Sequence, residues 1–302
     1  MSFTRIKNTL CPYKVRKLTE LDIDLEHVLP AALGAPKKFG VMAAEKMNKH
    51  FNKEIDEPFI DENLIRFLSA ISGVKSRSGK VNFSQKVTDT VNNEDVVVRL
   101  NESEFIPKIV VPVKRDCDGN INAVVGFGDD AKNELDKISK KLKDKGLEII
   151  EKEFQCRSSS PLKVDVSLDL NFLELEILKI SYLLAVYVFG DEVILTGDSE
   201  IVRNDLFNNK VVDSKLRSDW SFFPEPLHPE TKSGNHTLFC IRTGDYIVSS
   251  VCLFGVFKSS LFFLSKRCEQ DEIDGGVFYI DPKDNKMINV GILDYLESHM
   301  SM

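Results

Sequence analysis

The stretch that decides the fold is "DLEHVLPAALGAPKKFGVMAAEKMNKHFNKEID", which runs from Asp24 to Asp56. Its first residues alternate well enough to predict a strand that ends near His27, and Pro30 and Gly34 then interrupt regular structure. Good helix formers follow, so the sequence predicts a helix from about Met42 to Ile55. An acid and a histidine before this helix make the stretch the candidate site.

Neighbouring residues of a strand point to opposite faces, so Glu26 and His27 can serve different partners. A phosphodiester hydrolase needs a divalent ion to neutralise the phosphate and a base to take a proton from water. On the predicted helix, Asn48 and Asn52 are four residues apart and share a face. The oxygen atoms of Glu26, Asn48 and Asn52 suit Mg²⁺ or Mn²⁺ better than zinc. A lone Glu-His pair is usually only a satisfied surface pair.

The spacing in this stretch resembles that of the HNH endonucleases, a family with a ββα-metal fold. The matching residues are Glu26, His27, Pro30, Leu33, Gly34, Asn48, Phe51, Ile55 and Asp56. The resemblance implies that His27 is the general base and that Glu26 and Asn48 bind the catalytic metal, with Asn52 as a further candidate ligand. A weaker similarity extends over the rest of the chain, including "LSAISGVKSRSGK" and "LEILKISYLLAVYVFG".

The chain departs from the family pattern at the cysteines that bind a structural zinc. Where the family has two C-x-x-C pairs, this sequence has Cys11 with Lys14 and Ala44 with Met47. A single thiolate cannot form a tetrahedral zinc site, so we expect no structural zinc. We expect Ala44 and Met47 to pack by apolar contact instead.

The length of 302 residues and the 42% hydrophobic content allow one large domain or two ordinary ones. The predicted fold class is α+β, with an N-terminal ββα-metal (HNH-like) module at residues 1–80. Residues 81–302 are predicted to form a mixed α/β body with antiparallel strands, whose role is substrate selection, partner binding or regulation. Within it, the pattern predicts a long apolar helix from about Asn171 to Phe189.

The net charge of −7 argues against a general nucleic-acid coat protein, but the charge is uneven. The first 80 residues carry 14 Lys and Arg against 10 Asp and Glu, whereas the acids are in excess over the rest of the chain. This offset is compatible with a local phosphate-binding surface. Lys75, Arg77 and Lys80 are the candidate phosphate contacts, although a charged loop is more often only solvated.

Several features favour a cytoplasmic protein with no membrane association. The six cysteines are scattered without paired spacing, which is typical of free thiols in a reducing compartment. The most apolar segment carries Glu174, Glu176 and Lys179, so it predicts a buried helix rather than a membrane span.

These features together predict a metal-dependent HNH-type endonuclease that hydrolyses DNA, and the resemblance extends this to a role in antiviral defence against foreign DNA. A homo-oligomer, or a protein partner that restrains the nuclease, is compatible with the sequence. One alternative is a catalytically inactive HNH-like module that binds nucleic acid. Another is a regulatory or interaction protein with no nucleic-acid role.

Overall fold

A computed structural model of the chain describes residues 7–76, 79–101, 104–146, 160–212, 216–217, 231–264 and 274–300. The strands, in chain order, are β1 Ile23–His27, β2 Gly40–Ala44, β3 Lys75–Ser76, β4 Gly79–Lys80, β5 Phe83–Asp89, β6 Glu94–Asn101, β7 Glu104–Ile109, β8 Val113–Arg115, β9 Ile121–Val124, β10 Leu216–Arg217, β11 His236–Thr243, β12 Tyr246–Leu253, β13 Phe257–Leu264, β14 Asp274–Asp281 and β15 Lys286–Gly291. The helices are α1 Glu45–Phe51, α2 Glu57–Asp61, α3 Asn63–Ile71, α4 Asp130–Lys143, α5 Leu170–Phe189, α6 Asp191–Ile194, α7 Gly197–Phe207 and α8 Ile292–Met300. Among the described strands every pairing is antiparallel, so the predicted α+β class is confirmed.

The chain forms two compact units that differ from the predicted division into 1–80 and 81–302. The first unit combines Met1–Val81 with Ser167–Met302, and the second is Asn82–Val166. The first break lies within one residue of the predicted boundary. The predicted C-terminal body is nevertheless not one unit, because α5 and the strands after it share a hydrophobic core with the N-terminal residues.

The first unit begins with two antiparallel strands followed by a helix. In the β1–β2 pair, Glu26 lies opposite Val41 and His27 lies opposite Gly40. The strands approach closely here, since a Cβ atom on Gly40 would lie 2.4 Å from the carbonyl oxygen of Glu26. The predicted start of the helix near Met42 is wrong, because Gly40–Ala44 pairs with β1 and the helix begins at Glu45.

Helix α1 continues into α2 through a π-helical turn at Asn52–Asp56. The wider turn accommodates an extra residue in the helix. Within this turn Ile55 and Asp56 are buried, while Asn52 and Lys53 are exposed. The π-helical turn therefore directs an acidic side chain towards the interior.

Helix α5 lies at the centre of the first unit. Every residue from Leu175 to Val188 is buried, as expected of a helix that is apolar on all sides. The hydroxyl of Ser249 on β12 donates to the carbonyl of Ser181 at 2.7 Å, which shows α5 packed on the C-terminal strands. The buried run contains two charged residues, Glu176 and Lys179.

The C-terminal strands form a six-stranded sheet in the order β10-β13-β12-β11-β14-β15. Alternation along β11 sends Leu238 and Cys240 into the core that contains α5. Phe239 and Ile241 point to the other face, where they pack with residues of α8. The sheet is thus covered by α5 on one face and by α8 on the other.

The second unit contains a three-stranded antiparallel sheet, β5-β6-β7, a two-stranded sheet, β8-β9, and helix α4. Its buried core is small and consists of Val96, Val98 and Ile109 with partly buried neighbours.

Across the helices that the structure describes, no segment combines the length and the apolarity needed to cross a membrane.

Candidate functional site

His27 is the last residue of β1 and is only partly buried. Its strand partner is Gly40, and the next amide along the chain, that of Val28, donates to the carbonyl of Phe39 at 3.1 Å. The period of the strand places Glu26 and His27 on opposite faces, as predicted: Glu26 is 1% exposed. The imidazole therefore lies on the more open side of the strand.

Glu26 points into the core and pairs with Lys179 of α5. Its Oε1 atom lies 2.8 Å from the Nζ atom of Lys179, and the two side chains are 2% and 1% exposed. The same Nζ atom lies 2.5 Å from Oδ1 of Asp56 in the π-helical turn. Lys179 thus joins β1, the turn and α5 through two buried ion pairs.

This buried ionic cluster, which we define as Glu26, Asp56, Glu176 and Lys179, holds three acids around one base. Burial raises the pKa of Glu26 to about 7, although the adjacent Lys179 opposes the shift. Burial, and then the nearby charge of Asp56, raise the pKa of Glu176 well above its usual range, which favours its protonated form. Burial alone would lower the pKa of Lys179, but Asp56 and Glu26 outweigh it and keep the ammonium charged.

The two asparagines contact different groups. The Nδ2 atom of Asn48 donates to the carbonyl of Leu25 at 3.1 Å and to Oδ2 of Asp24 at 3.3 Å, which ties α1 to β1. The Nδ2 atom of Asn52 donates to Oε1 of Glu57 at 2.8 Å, within its own helix. The i, i+4 spacing therefore does not direct the two amides to one point.

The structure gives the predicted metal ligands Glu26, Asn48 and Asn52 three separate partners. The carboxylate of Glu26 is buried beside an ammonium group, and each asparagine is hydrogen-bonded elsewhere. Over the described ranges of the chain, no group of three or more His, Cys, Asp and Glu side chains is placed to hold a metal ion. Binding of Mg²⁺ or Mn²⁺ by these three residues together stays a prediction that this arrangement does not support.

Cys11 and Ala44, which the resemblance aligns with the two C-x-x-C pairs, are in direct contact. Cys11 is fully buried, and its Sγ atom accepts a hydrogen bond from the amide of Ala44 at 3.3 Å. Ala44 lies in the core and Met47 packs against it, as predicted. Lys14 is exposed. The next residue, Val15, has a positive φ of 53°, which is unusual for a β-branched side chain.

The candidate phosphate contacts are only partly described. Lys75 and Lys80 are exposed and face each other across the β3–β4 pair, and Lys75 lies 3.9 Å from a carboxylate oxygen of Asp284. Arg77 lies outside the described residues. Two further lysines, Lys37 and Lys38, are exposed in the β1–β2 connection, three and two residues before the strand partner of His27.

The connection after His27 is held by a second, buried histidine. His236 contacts the carbonyl of Leu33 through Nε2 at 3.1 Å, and its Nδ1 accepts from the amide of Phe254 at 3.2 Å. These partners require the neutral tautomer with the proton on Nε2. Burial lowers the pKa of His236 to about 4, which is consistent with a neutral ring. His236 is therefore structural.

The sequence did not predict the pairing of Lys179 with Glu26 and Asp56. The available signal was the presence of Glu176 and Lys179 inside a helix that is apolar on all sides, because buried charges need partners.

No family model, no curated protein and no solved structure matches this chain.

Proposed function

We propose that this protein hydrolyses phosphodiester bonds of DNA through an N-terminal HNH-like module in which His27 is the general base. The observation that supports it is the order strand, strand, helix, with His27 at the end of β1 and Asn48 on α1 bonded to the Leu25 carbonyl of the same strand. The resemblance to the HNH endonucleases implies this ββα order.

In this proposal the imidazole of His27 accepts a proton from water as the water oxygen attacks phosphorus. Imidazole suits this step because it exchanges protons near neutral pH. Glu26 does not share in the chemistry, since it lies on the buried face of the strand. A divalent ion, when bound, would neutralise charge on the phosphate. We assign it to none of Glu26, Asn48 and Asn52.

The exposed lysines supply the expected contacts to the phosphates. Lys37 and Lys38 lie in the connection that follows His27, and Lys75 and Lys80 are exposed in the same unit. Contacts of this kind position a nucleic acid without reading its sequence. Binding should therefore weaken as the salt concentration rises.

The direct test is nicking of supercoiled plasmid DNA with Mg²⁺ or Mn²⁺, comparing wild type with His27→Ala. We expect nicking by wild type and a loss of about 100-fold or more in the variant, because a general base contributes rate enhancements of this order. His50→Ala is the matched control, since His50 lies on α1 against Phe51 and Phe207 and has no proposed role. Equal nicking by wild type and His27→Ala would refute the assignment.

A second candidate is a module that binds DNA without cleaving it. The observation that favours it is the engagement of Glu26 with Lys179, which removes a predicted ligand from the metal site. Salt-dependent retention of DNA in a gel-shift assay, with no nicking under either metal, would identify this function. Absence of binding at any salt concentration would exclude both candidates.

A further inference from the structure

We propose that Lys179 is a positioning residue for His27: by holding Glu26 in the core, it fixes the end of β1 and so the direction of the neighbouring imidazole. The acid before the histidine is then an anchor rather than a metal ligand. The catalytic part of this inference rests on the proposed function, whereas the positional part can be tested without it.

Lys179 and Glu26 are in direct contact in the core. The Nζ atom of Lys179 lies 2.8 Å from Oε1 of Glu26, and both side chains are almost fully buried. An ion pair of this kind is stronger in the interior than at the surface, because the surroundings screen it less. Moving Glu26 away would leave a buried charge without this partner, which is strongly unfavourable.

Glu26 and His27 cannot move independently. They are consecutive residues of a strand, and their side chains leave it on opposite faces. The backbone of Glu26 lies very close to Gly40. A Cβ atom added to Gly40 would lie only 2.4 Å from the backbone carbonyl oxygen of Glu26. A shift of the Glu26 side chain is therefore transmitted to the orientation of His27.

The side chain of Lys179 is itself held in position. It lies within the buried run of α5, and Asp56 holds the same Nζ atom at 2.5 Å. Glu176, the fourth member of the cluster, lies on the same helix, and Tyr13 lies near Glu26 and Asp56. Glu26 and Asp56 are the two acids whose carboxylate oxygens lie against the ammonium, at 2.8 Å and 2.5 Å.

The experiment compares Lys179→Met with Val188→Ala, a control on the same helix that removes buried apolar atoms about two and a half turns from Lys179. Three quantities are measured: the thermal midpoint, the ring resonances of His27 in the ¹⁵N-histidine spectrum, and the rate of plasmid nicking. The His27 resonances are assigned from a His27→Asn variant.

Both variants should lower the thermal midpoint, but only Lys179→Met should shift the His27 resonances. In nicking, Lys179→Met should reduce kcat by about 10- to 100-fold with little change in KM, because displacement of a reacting group by about 1 Å costs rates of this order. Unchanged His27 resonances in a folded Lys179→Met protein would overturn the proposal.

Two milder variants decide the matter if Lys179→Met does not fold. Glu26→Gln and Asp56→Asn each neutralise one partner of Lys179 at constant shape, and only the first lies on β1. We expect Glu26→Gln to shift the His27 resonances and Asp56→Asn to leave them in place. Equal shifts in both, or none in either, would contradict a role that acts through Glu26. A wild-type protein that does not nick DNA refutes the proposed function, but the resonances still test the positioning.

Discussion

At the scale of single residues, the buried ionic cluster gives Glu26, the acid directly before the candidate base His27, a partner in the core. Three carboxyl groups and one ammonium share an interior site, so the site carries more acid than Lys179 can neutralise. Burial raises the pKa of Glu176 well above its usual range, so the surplus is relieved when this carboxyl holds a proton. The cluster therefore makes stability depend on pH.

The first prediction at this scale concerns Glu176→Gln. The folded state keeps a proton on Glu176 that the unfolded state releases above about pH 4.5. The free energy of unfolding of the wild type should thus fall as the pH rises from 5 to 8 by more than that of the variant. Chemical denaturation of both proteins across this range measures the difference.

Comparing the two profiles isolates Glu176 from other groups. His236 contributes with the opposite sign, because its pKa is lowered to about 4 and its stabilisation is lost as the pH falls through the range between 6.5 and 4. That contribution is common to both proteins and cancels. Parallel profiles for wild type and Glu176→Gln would show that Glu176 is ionised in the folded state.

At the scale of elements, the β1–β2 pair depends on a close approach at Gly40. The next element, α1, is tied to the same strand by Asn48, so β1 is held from two sides. The connection between the strands is fixed further on, where Gly34 has a φ of +87° and a Cβ atom would lie 2.5 Å from Cα of Pro282. The geometry around His27 therefore has little freedom.

Gly40→Ala should destabilise the protein by about 2 kcal/mol or more, because the new methyl group would meet the backbone of Glu26 rather than a movable side chain. Gly197→Ala is the matched control, since a Cβ atom there meets no heavy atom within 4 Å. Unfolding in urea gives both values. A Gly40→Ala protein as stable as wild type would show that the strands can separate without cost.

At the scale of the whole molecule, the candidate site does not belong to an independent N-terminal domain. Lys179 and His236 come from the second part of the chain, and both hold elements of the first part. The first unit is therefore discontinuous in sequence, and the unit Asn82–Val166 is inserted into it.

This organisation predicts that a fragment of residues 1–81 does not fold alone, because it would expose the apolar surface that packs on α5 and leave Glu26 and Asp56 without Lys179. Replacing residues 82–166 by a flexible linker should instead preserve a cooperative unfolding transition. Circular dichroism melting of the two proteins distinguishes these outcomes. Cooperative folding of the 1–81 fragment would support the division first predicted from the sequence.

The sequence alone determined the features that depend on local pattern. The α+β class, the burial of α5, the opposite faces of Glu26 and His27 and the packing of Ala44 and Met47 all follow from residue type and period. The same local reasoning misplaced the start of α1, because pairing of Met42 with β1 outweighs the helix propensity of the segment.

Only the tertiary structure decided the role of Glu26. The resemblance made it a metal ligand, but its partner lies on a helix far along the chain, and Asp56 is 123 residues from the same lysine. Two charges inside an apolar helix indicate that buried partners exist, yet no local pattern identifies them. The partner is set by how α5 packs against β1 and the π-helical turn, and that contact forms only when distant segments share one core.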